Sequence, residues 1–290
     1  MIFGVSPAYF ISRFGEGFTC EQIAGSLGDL SAMGFDGFQL EVFLPDRLSE
    51  WRDGGAALVR AQADEVGLTA TQFIAHFMLE GFGSPSSLQS DFGLLEAEEV
   101  VQIVEQFPGC DLVTLPLPAW QAQSADAYSK TAVKRARSRL AEKLSLIGET
   151  FHSAGVRMAL EVMPGSLAGG TEGVLALWED MGDTRTGYNF DTGHAWACKE
   201  NIYAIPARFG RRITGTHLCD NAGLENLSAP PGDGTIDWNL LMKTLAANGY
   251  RGACDIEIRC DASEVQAAYA RGLSHVKERG NTGEATGSSV

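Results

Sequence analysis

Val156-Arg157-Met158-Ala159-Leu160-Glu161 and Gly187-Tyr188-Asn189-Phe190-Asp191 are short apolar runs, each ending in a carboxylate. Arg212-Ile213-Thr214-Gly215-Thr216-His217 and Ala253-Cys254-Asp255-Ile256-Glu257 repeat the pattern, with an imidazole closing one and a carboxylate the other. An apolar run of this length reads as a buried parallel strand. A charged residue at its far end then sits at the strand's carboxyl edge, where (β/α)8 barrels build their active sites. Three carboxylates and one imidazole meeting there make a divalent-metal site with room for a substrate.

The alternation extends outward in both directions. Strands are expected at Ile2–Ser6, Gly37–Glu41, Thr69–Ala75 and Asp111–Leu115 in the first half. Val156–Glu161, Gly187–Asp191, Arg212–His217 and Ala253–Ile258 follow in the second. Helices are expected at Cys20–Met33, with Thr19 as N-cap, and at Ser49–Val66, stopped by Gly67. Others are expected at Leu94–Phe107, which Pro108-Gly109 breaks, and at about Asp126–Ala154. The rest are Thr171–Met181, Ile202–Phe209, Asp237–Asn248 and Ser263–Glu278. Eight such alternations require a parallel sheet with helices outside, and closure removes both edges. The fold class is therefore α/β, a single (β/α)8 TIM barrel over residues 1–278. The Gly-, Ser- and Thr-rich residues 279–290 are expected to be a disordered tail.

Composition narrows the function. A formal charge of −15 repels phosphate backbones, which argues against nucleic acid as a partner. It suits small neutral or cationic substrates, unless a local metal reverses the sign in a pocket. The six Cys are scattered without a CxxC pair and read as reduced cytosolic thiols. The start lacks a charged n-region and a long apolar h-region, and no apolar stretch reaches membrane-spanning length. The expected location is cytoplasmic, away from any membrane.

Mixed oxygen ligands with a single nitrogen suit Mn²⁺, Mg²⁺ or Co²⁺ better than a thiolate-rich zinc site does. One such metal is expected on Glu161, Asp191, His217 and Glu257. A lone carboxylate after a strand is usually a helix cap or a solvated loop residue; three carboxylates and one imidazole on four late strands weaken that alternative. His194 follows Asp191 closely and is a candidate for binding substrate or supporting a ligand. Asp220 is placed to orient His217 through its other ring nitrogen. Glu41 and His76 follow N-terminal strands and are expected to line the pocket. Trp196 is a candidate to stack on a sugar face, and Lys199 to meet a substrate oxygen. His152 and His275 lie on helices and are expected to face solvent.

Several motifs, in order, resemble the sugar phosphate isomerase/epimerase family of xylose isomerase-like barrels. They are Ala159-Leu160-Glu161, Asn189-Phe190-Asp191-Thr192-Gly193-His194 and Thr216-His217-Leu218-Cys219-Asp220-Asn221. Pro231-Gly232-Asp233-Gly234-Thr235-Ile236-Asp237-Trp238 and Gly249-Tyr250-Arg251-Gly252 complete the series. The resemblance implies that Glu161, Asp191, His217 and Glu257 bind one divalent metal, often Mn²⁺. It implies too that Glu161 and Glu257 form the acid–base pair. The reaction expected is isomerisation or epimerisation of a small keto-sugar or polyol derivative through a metal-stabilised enediolate.

Two departures bear on the reaction. Ketose 3-epimerases of this family carry an Arg soon after the strand-7 His, and this chain has none from Leu218 to Tyr250. That keeps a lyase as the alternative: an inosose or dehydroshikimate-type dehydratase, or β-elimination from a keto-glycoside. A non-catalytic ligand-binding or supporting barrel is a third reading. Endonuclease IV, which shares the barrel, uses extra His and Asp ligands near the strand-7 loop, and Asn221–Gly234 contains no His. Barrels of this type often self-associate as homo-oligomers; the sequence leaves that state open.

Overall fold

A computed structural model describes residues 1–280. Eight parallel strands close into a barrel in sequence order: β1 (Phe3–Val5), β2 (Gly37–Glu41), β3 (Thr69–Ile74), β4 (Leu112–Leu117), β5 (Arg157–Val162), β6 (Gly187–Asp191), β7 (Ile213–Leu218) and β8 (Cys254–Ile256). Closure is the pairing of β1 with both β2 and β8. The register sets Asp191 beside His217 and His217 beside Asp255. On the neighbouring pair, Glu161 lies beside Pro116. The polar residues of three consecutive strands thus meet at one end of the barrel.

The helices packed outside are α1 (Cys20–Met33), α2 (Ala56–Val66), α3 (Leu94–Val104), α4 (Lys130–Ser153), α5 (Thr171–Met181), α6 (Ile205–Phe209), α7 (Trp238–Ala247) and α8 (Val265–Gly280). Their ends follow local chemistry. Thr19 and Gln22 form a reciprocal capping box at the start of α1. Gly67 closes α2 in the left-handed conformation, at φ 73°. Ser129 caps α4 and Asp237 caps α7 through their side-chain oxygens.

The helix expected over Ser49–Val66 is broken. Residues Trp51–Gly55 form a kinked turn with Gly54 at φ 114°, and regular helix resumes at Ala56. The break drives Trp51 into the core, edge-on to Phe73 and Phe107. The helix expected from Asp126 starts at Lys130, after a 3₁₀ turn at Ala125–Tyr128. Short helices at Ala8–Phe14, Pro85–Gln89 and Thr192–Ala197 add to the expected set. Helix α8 continues through Arg279 and Gly280, beyond the expected barrel end; the rest of the expected tail, 281–290, lies outside the described residues. All six cysteines are free. Among the described residues no helix is long and apolar enough to cross a membrane.

Candidate metal centre

Asp191 ends β6 and caps the short helix Thr192–Ala197, its Oδ1 accepting the His194 backbone N–H at 2.7 Å. That cap turns the chain so that the His194 ring faces back over the barrel. Glu161 lies near the end of β5, His217 near the end of β7, and Glu257 just after β8. The backbone N–H of Glu257 bonds to Leu218 O at 3.1 Å, which ties it to the His217 strand.

The four expected ligands come together. His217 Nδ1 lies 2.9 Å from Glu257 Oε2, 3.2 Å from Glu161 Oε2 and 4.0 Å from Asp191 Oδ2. His194 Nδ1 joins them, 3.1 Å from Asp191 Oδ2 and 3.3 Å from Glu161 Oε1. One donor atom each from Asp191, His217 and Glu257 lies within 4.8 Å of the others, and the same holds for Glu161, Asp191 and His194. Glu161, Asp191, His194 and His217 are buried, and Glu257 is partly exposed. Asp191 Oδ2, His194 Nδ1 and His217 Nδ1 make no hydrogen bond despite these short distances. Buried polar atoms normally find partners. The orphaned atoms belong to two triads that share Asp191, and such converging carboxylate and imidazole atoms fit a divalent cation.

The charges are mutually dependent. Burial disfavours ionisation of Asp191 and pushes its pKa to about 7, although His194 opposes this. Burial also opposes a charge on Glu161, yet His217 and His194 hold it well below the usual carboxylate range. Burial works against protonated His194, but Asp191 and Glu161 raise it to about 9. Burial, reinforced by Glu257, lifts Glu41 well above its ordinary value.

A cavity of about 270 Å³ opens above the cluster, lined by Glu41, His76, Glu161, His194, His217 and Glu257 among others. Glu41 Oε2 is buried without a partner. His76 stacks on Phe43, with ring centroids 3.9 Å apart, and burial lowers its pKa. Trp196 and Lys199 do not line this cavity. The Trp196 indole donates to Thr235 Oγ1 at 2.9 Å and packs near Tyr203, which pins a loop. Lys199 is exposed, with φ at 62°.

Asp220 does not orient His217. Its carboxylate accepts the backbone N–H groups of Gly232 (3.0 Å) and Ile236 (3.2 Å) and the Trp238 indole (2.7 Å), holding the loop after β7 in place. The partner of His217 Nε2 is Gln39 Oε1, at 3.0 Å. Nor do His152 and His275 simply face solvent. Both are half-buried: the ring nitrogens of His152 are enclosed, and His275 lies edge-on to Trp238. Asn226, Ser228 and Arg259 also line the cavity, and none of them stands out in the sequence as a site residue. Arg259 carries one signal, because it follows Glu257 at the two-residue spacing that returns a side chain to one face of an extended chain. A basic residue at the rim therefore comes from the β8 end of the barrel and not from the segment after β7.

An inosose dehydratase of Clostridium botulinum (strain Alaska E43 / Type E3) is 29% identical over 159 residues, 48% of this chain and 53% of that protein. The matches to curated relatives cover 30% to 53% of those proteins' lengths. The 3-keto-D-glucoside 4-epimerase YcjR of E. coli superposes with a TM-score of 0.74 at 18% identity, over 96% of this chain and 99% of that one. The IOLI protein, solved with a bound zinc atom, gives 0.74 at 16% identity over 96% and 99%. Residues 27–279 match the model of the xylose isomerase-like TIM barrel family, and with the closed eight-stranded barrel this places the chain in that family.

Proposed function

We propose that the chain is a divalent-metal-dependent isomerase or epimerase acting on a small keto-sugar or polyol derivative. The observation that carries this reading is the placement of two glutamates. Glu161 Oε2 and Glu257 Oε2 both lie within 3.2 Å of His217 Nδ1, at the floor of one cavity. Glu161, Asp191, His217 and Glu257 would hold the metal, with Mn²⁺ the proposed ion and Co²⁺ or Mg²⁺ as substitutes. When bound, such a cation polarises a carbonyl and an adjacent hydroxyl, which acidifies the C–H between them.

The chain's own groups supply the rest. Glu257 is half-buried, and one of its oxygens takes only a long 3.4 Å bond from Ser228 Oγ, so a carboxylate oxygen stays free to take a proton from carbon. Glu161 Oε2 accepts from Asn189 Nδ2 at 3.3 Å and is steadied there to act from its own side of the cavity. His194, Glu41 and His76 are proposed to bind substrate hydroxyls. Trp196 and Lys199, off the cavity wall, are left to shape the loop outside it.

The curated inosose dehydratase relatives favour a second reading, a carbon–oxygen lyase. The same pair of carboxylates would then remove a proton and assist departure of a β-oxygen substituent. Proton NMR in D₂O separates the two with Mn²⁺-reconstituted protein and a panel of ketohexoses, inososes and 3-keto-glycosides. Deuterium entering the carbon beside the carbonyl as an isomer accumulates supports the first reading. An enone or a released leaving group selects the lyase. Exhaustive chelation is expected to abolish turnover and Mn²⁺ or Co²⁺ to restore it; turnover indifferent to chelation overturns the metal requirement.

A further inference from the structure

We infer that Asp255 is a positioning residue whose buried carboxylate, acting through two glutamine amides, fixes the donor atoms of His217 and Glu161; this rests on the metal reading above. Asp255 sits in the middle of β8, fully buried inside the barrel. Its Oδ2 accepts Gln39 Nε2 at 2.8 Å, Thr71 Oγ1 at 3.1 Å and Gln72 Nε2 at 3.5 Å. Two arms leave this point. In one, Gln39 Oε1 meets His217 Nε2 at 3.0 Å. In the other, Gln72 Nε2 also bonds Asn189 Oδ1 at 3.1 Å, and Asn189 Nδ2 bonds Glu161 Oε2 at 3.3 Å.

Polarity makes the arms directional. A carboxylate only accepts, whereas an amide has one accepting and one donating end. Asp255 therefore forces the NH₂ of Gln39 toward itself and turns the Gln39 carbonyl toward His217. A carbonyl facing an imidazole nitrogen requires N–H there. With Nε2–H committed to Gln39, Nδ1 is the nitrogen left for a metal among Glu161, Asp191 and Glu257. The second arm obeys the same rule. Asp255 Oδ2 draws the Gln72 NH₂, which also reaches Asn189 Oδ1, so Gln72 Oε1 is left to accept from Thr114 Oγ1 at 2.6 Å and the Asn189 NH₂ faces Glu161. Without Asp255 as an acceptor-only group, the Gln39 amide between it and the His217 ring could be flipped at little cost, whereas Asn189 is also held by the Glu161 carboxylate.

The surrounding residues clear room for this group. A Cβ at Gly4 would lie 2.0 Å from Asp255 Oδ1, and one at Gly215 would lie 2.5 Å from Asn189 Oδ1 and 3.0 Å from Gln72. Barrel interiors are ordinarily filled by branched apolar side chains, and a buried carboxylate costs stability relative to them. Both arms end on residues of the cluster, so the expense falls where ligand orientation matters.

The test compares wild type, Asp255→Asn and the double variant Asp255→Asn/Gln39→Glu, each checked for folding by circular dichroism. Metal binding is read by Co²⁺ visible absorption and Mn²⁺ calorimetry. Asp255→Asn lets Gln39 flip its NH₂ toward His217, and the affinity is expected to fall about 10–100-fold, the usual range for lost supporting bonds to a ligand. The double variant moves the carboxylate to position 39, where it accepts from both the new amide at position 255 and His217 Nε2–H, and should regain most of the loss. Affinity of Asp255→Asn matching wild type overturns the inference, as does a folded single variant that Gln39→Glu fails to rescue. If Asp255→Asn does not fold, long-range ¹H–¹⁵N spectra of Zn²⁺-loaded wild type decide: a proton on His217 Nε2 supports the inference, and one on Nδ1 overturns it. Wild type that binds no divalent metal removes the metal reading and this inference together, an outcome distinct from tight wild-type binding unaffected at position 255.

Discussion

Glu257 is the least buried member of the cluster, and its ring partner, His217, reaches it at 2.9 Å. Under the proposed mechanism, a carboxylate that touches both His217 and the open cavity is the expected proton acceptor. Glu257→Gln preserves shape and hydrogen bonding but removes basicity. Its turnover should drop about 10²–10⁴-fold, the usual worth of a positioned acid–base group, with the melting curve little changed. Rates near wild type in that variant would move the proton transfer to another residue. Residues of this kind are legible in sequence only jointly, because one carboxylate after a strand is usually a cap, whereas four polar side chains closing four successive apolar runs are not explained that way. Gln39 is not legible: inside Gly37–Glu41 it is one neutral residue in a strand, and only the closed barrel shows that it faces His217 across 178 positions of sequence. Asp220 misleads for the converse reason. Proximity to His217 along the chain suggests a partner, but the strand ends there and the carboxylate turns to the loop it caps.

His152 offers a residue-scale test away from the site. Its ring nitrogens are enclosed without partners, and burial with nearby Arg185 lowers its pKa, against Asp183 and Glu149. The unfolded chain then binds a proton on this ring that the folded chain resists. Stability from this residue is intact above about pH 6.5, the ordinary histidine value, and is lost as pH falls below it toward the lowered folded value. Urea midpoints at pH 7 and pH 5 should differ less for His152→Gln than for wild type; equal differences would remove His152 from the acid response.

At the scale of elements, long periodic helices are readable and interrupted ones are not. Thr171–Met181 and the start of α1 follow from caps and spacing. The break at Trp51–Gly55 does not, because burying Trp51 between Phe73 and Phe107 is a tertiary demand that outweighs local helix propensity. Lys143 shows another such demand. It lies on α4, is buried, and its Nζ donates to the carbonyls of Gly81 (3.1 Å), Ser87 (3.0 Å) and Ser90 (3.0 Å). One ammonium thus ties α4 to the long excursion between β3 and α3. Lys143→Met keeps the stem but removes the ammonium, leaving the Gly81 carbonyl without this donor while Ser87 O still accepts from Ser90 Oγ and Ser90 lies exposed; it should cost about 2 kcal/mol, since an unsatisfied buried group costs about 1–3 kcal/mol. Chemical denaturation measures this; a loss within about 0.5 kcal/mol, the size of a neutral surface change, would show that water replaces the ammonium.

At the scale of the molecule, closure of eight sequential strands makes one site out of residues scattered from Glu41 to Glu257. Eight strand–helix alternations make that closure legible in the sequence. The polar layer beneath the cluster is hidden, since Gln39, Gln72, Asn189 and Asp255 each look like a lone exception within its own strand. Closure also makes the site a property of the folded state alone. Unfolding separates β5, β6, β7 and β8 and scatters the donors, so a metal that needs all of them binds only the folded chain. Ligand binding of that kind stabilises by about 2.7 kcal/mol at a free concentration of about 100 times Kd. For a chain of this size each kcal/mol moves the melting temperature by about 2–4 °C, so saturating Mn²⁺ should raise it by about 5–10 °C. The shift should grow with the logarithm of metal concentration and should be absent in Asp191→Ala, which loses an orphaned oxygen at the centre of the cluster. A melting temperature indifferent to Mn²⁺, Co²⁺ and Mg²⁺ in wild type would mean that the converging carboxylates hold no divalent ion. A shift that persists in Asp191→Ala would place the ion elsewhere on this strongly acidic surface.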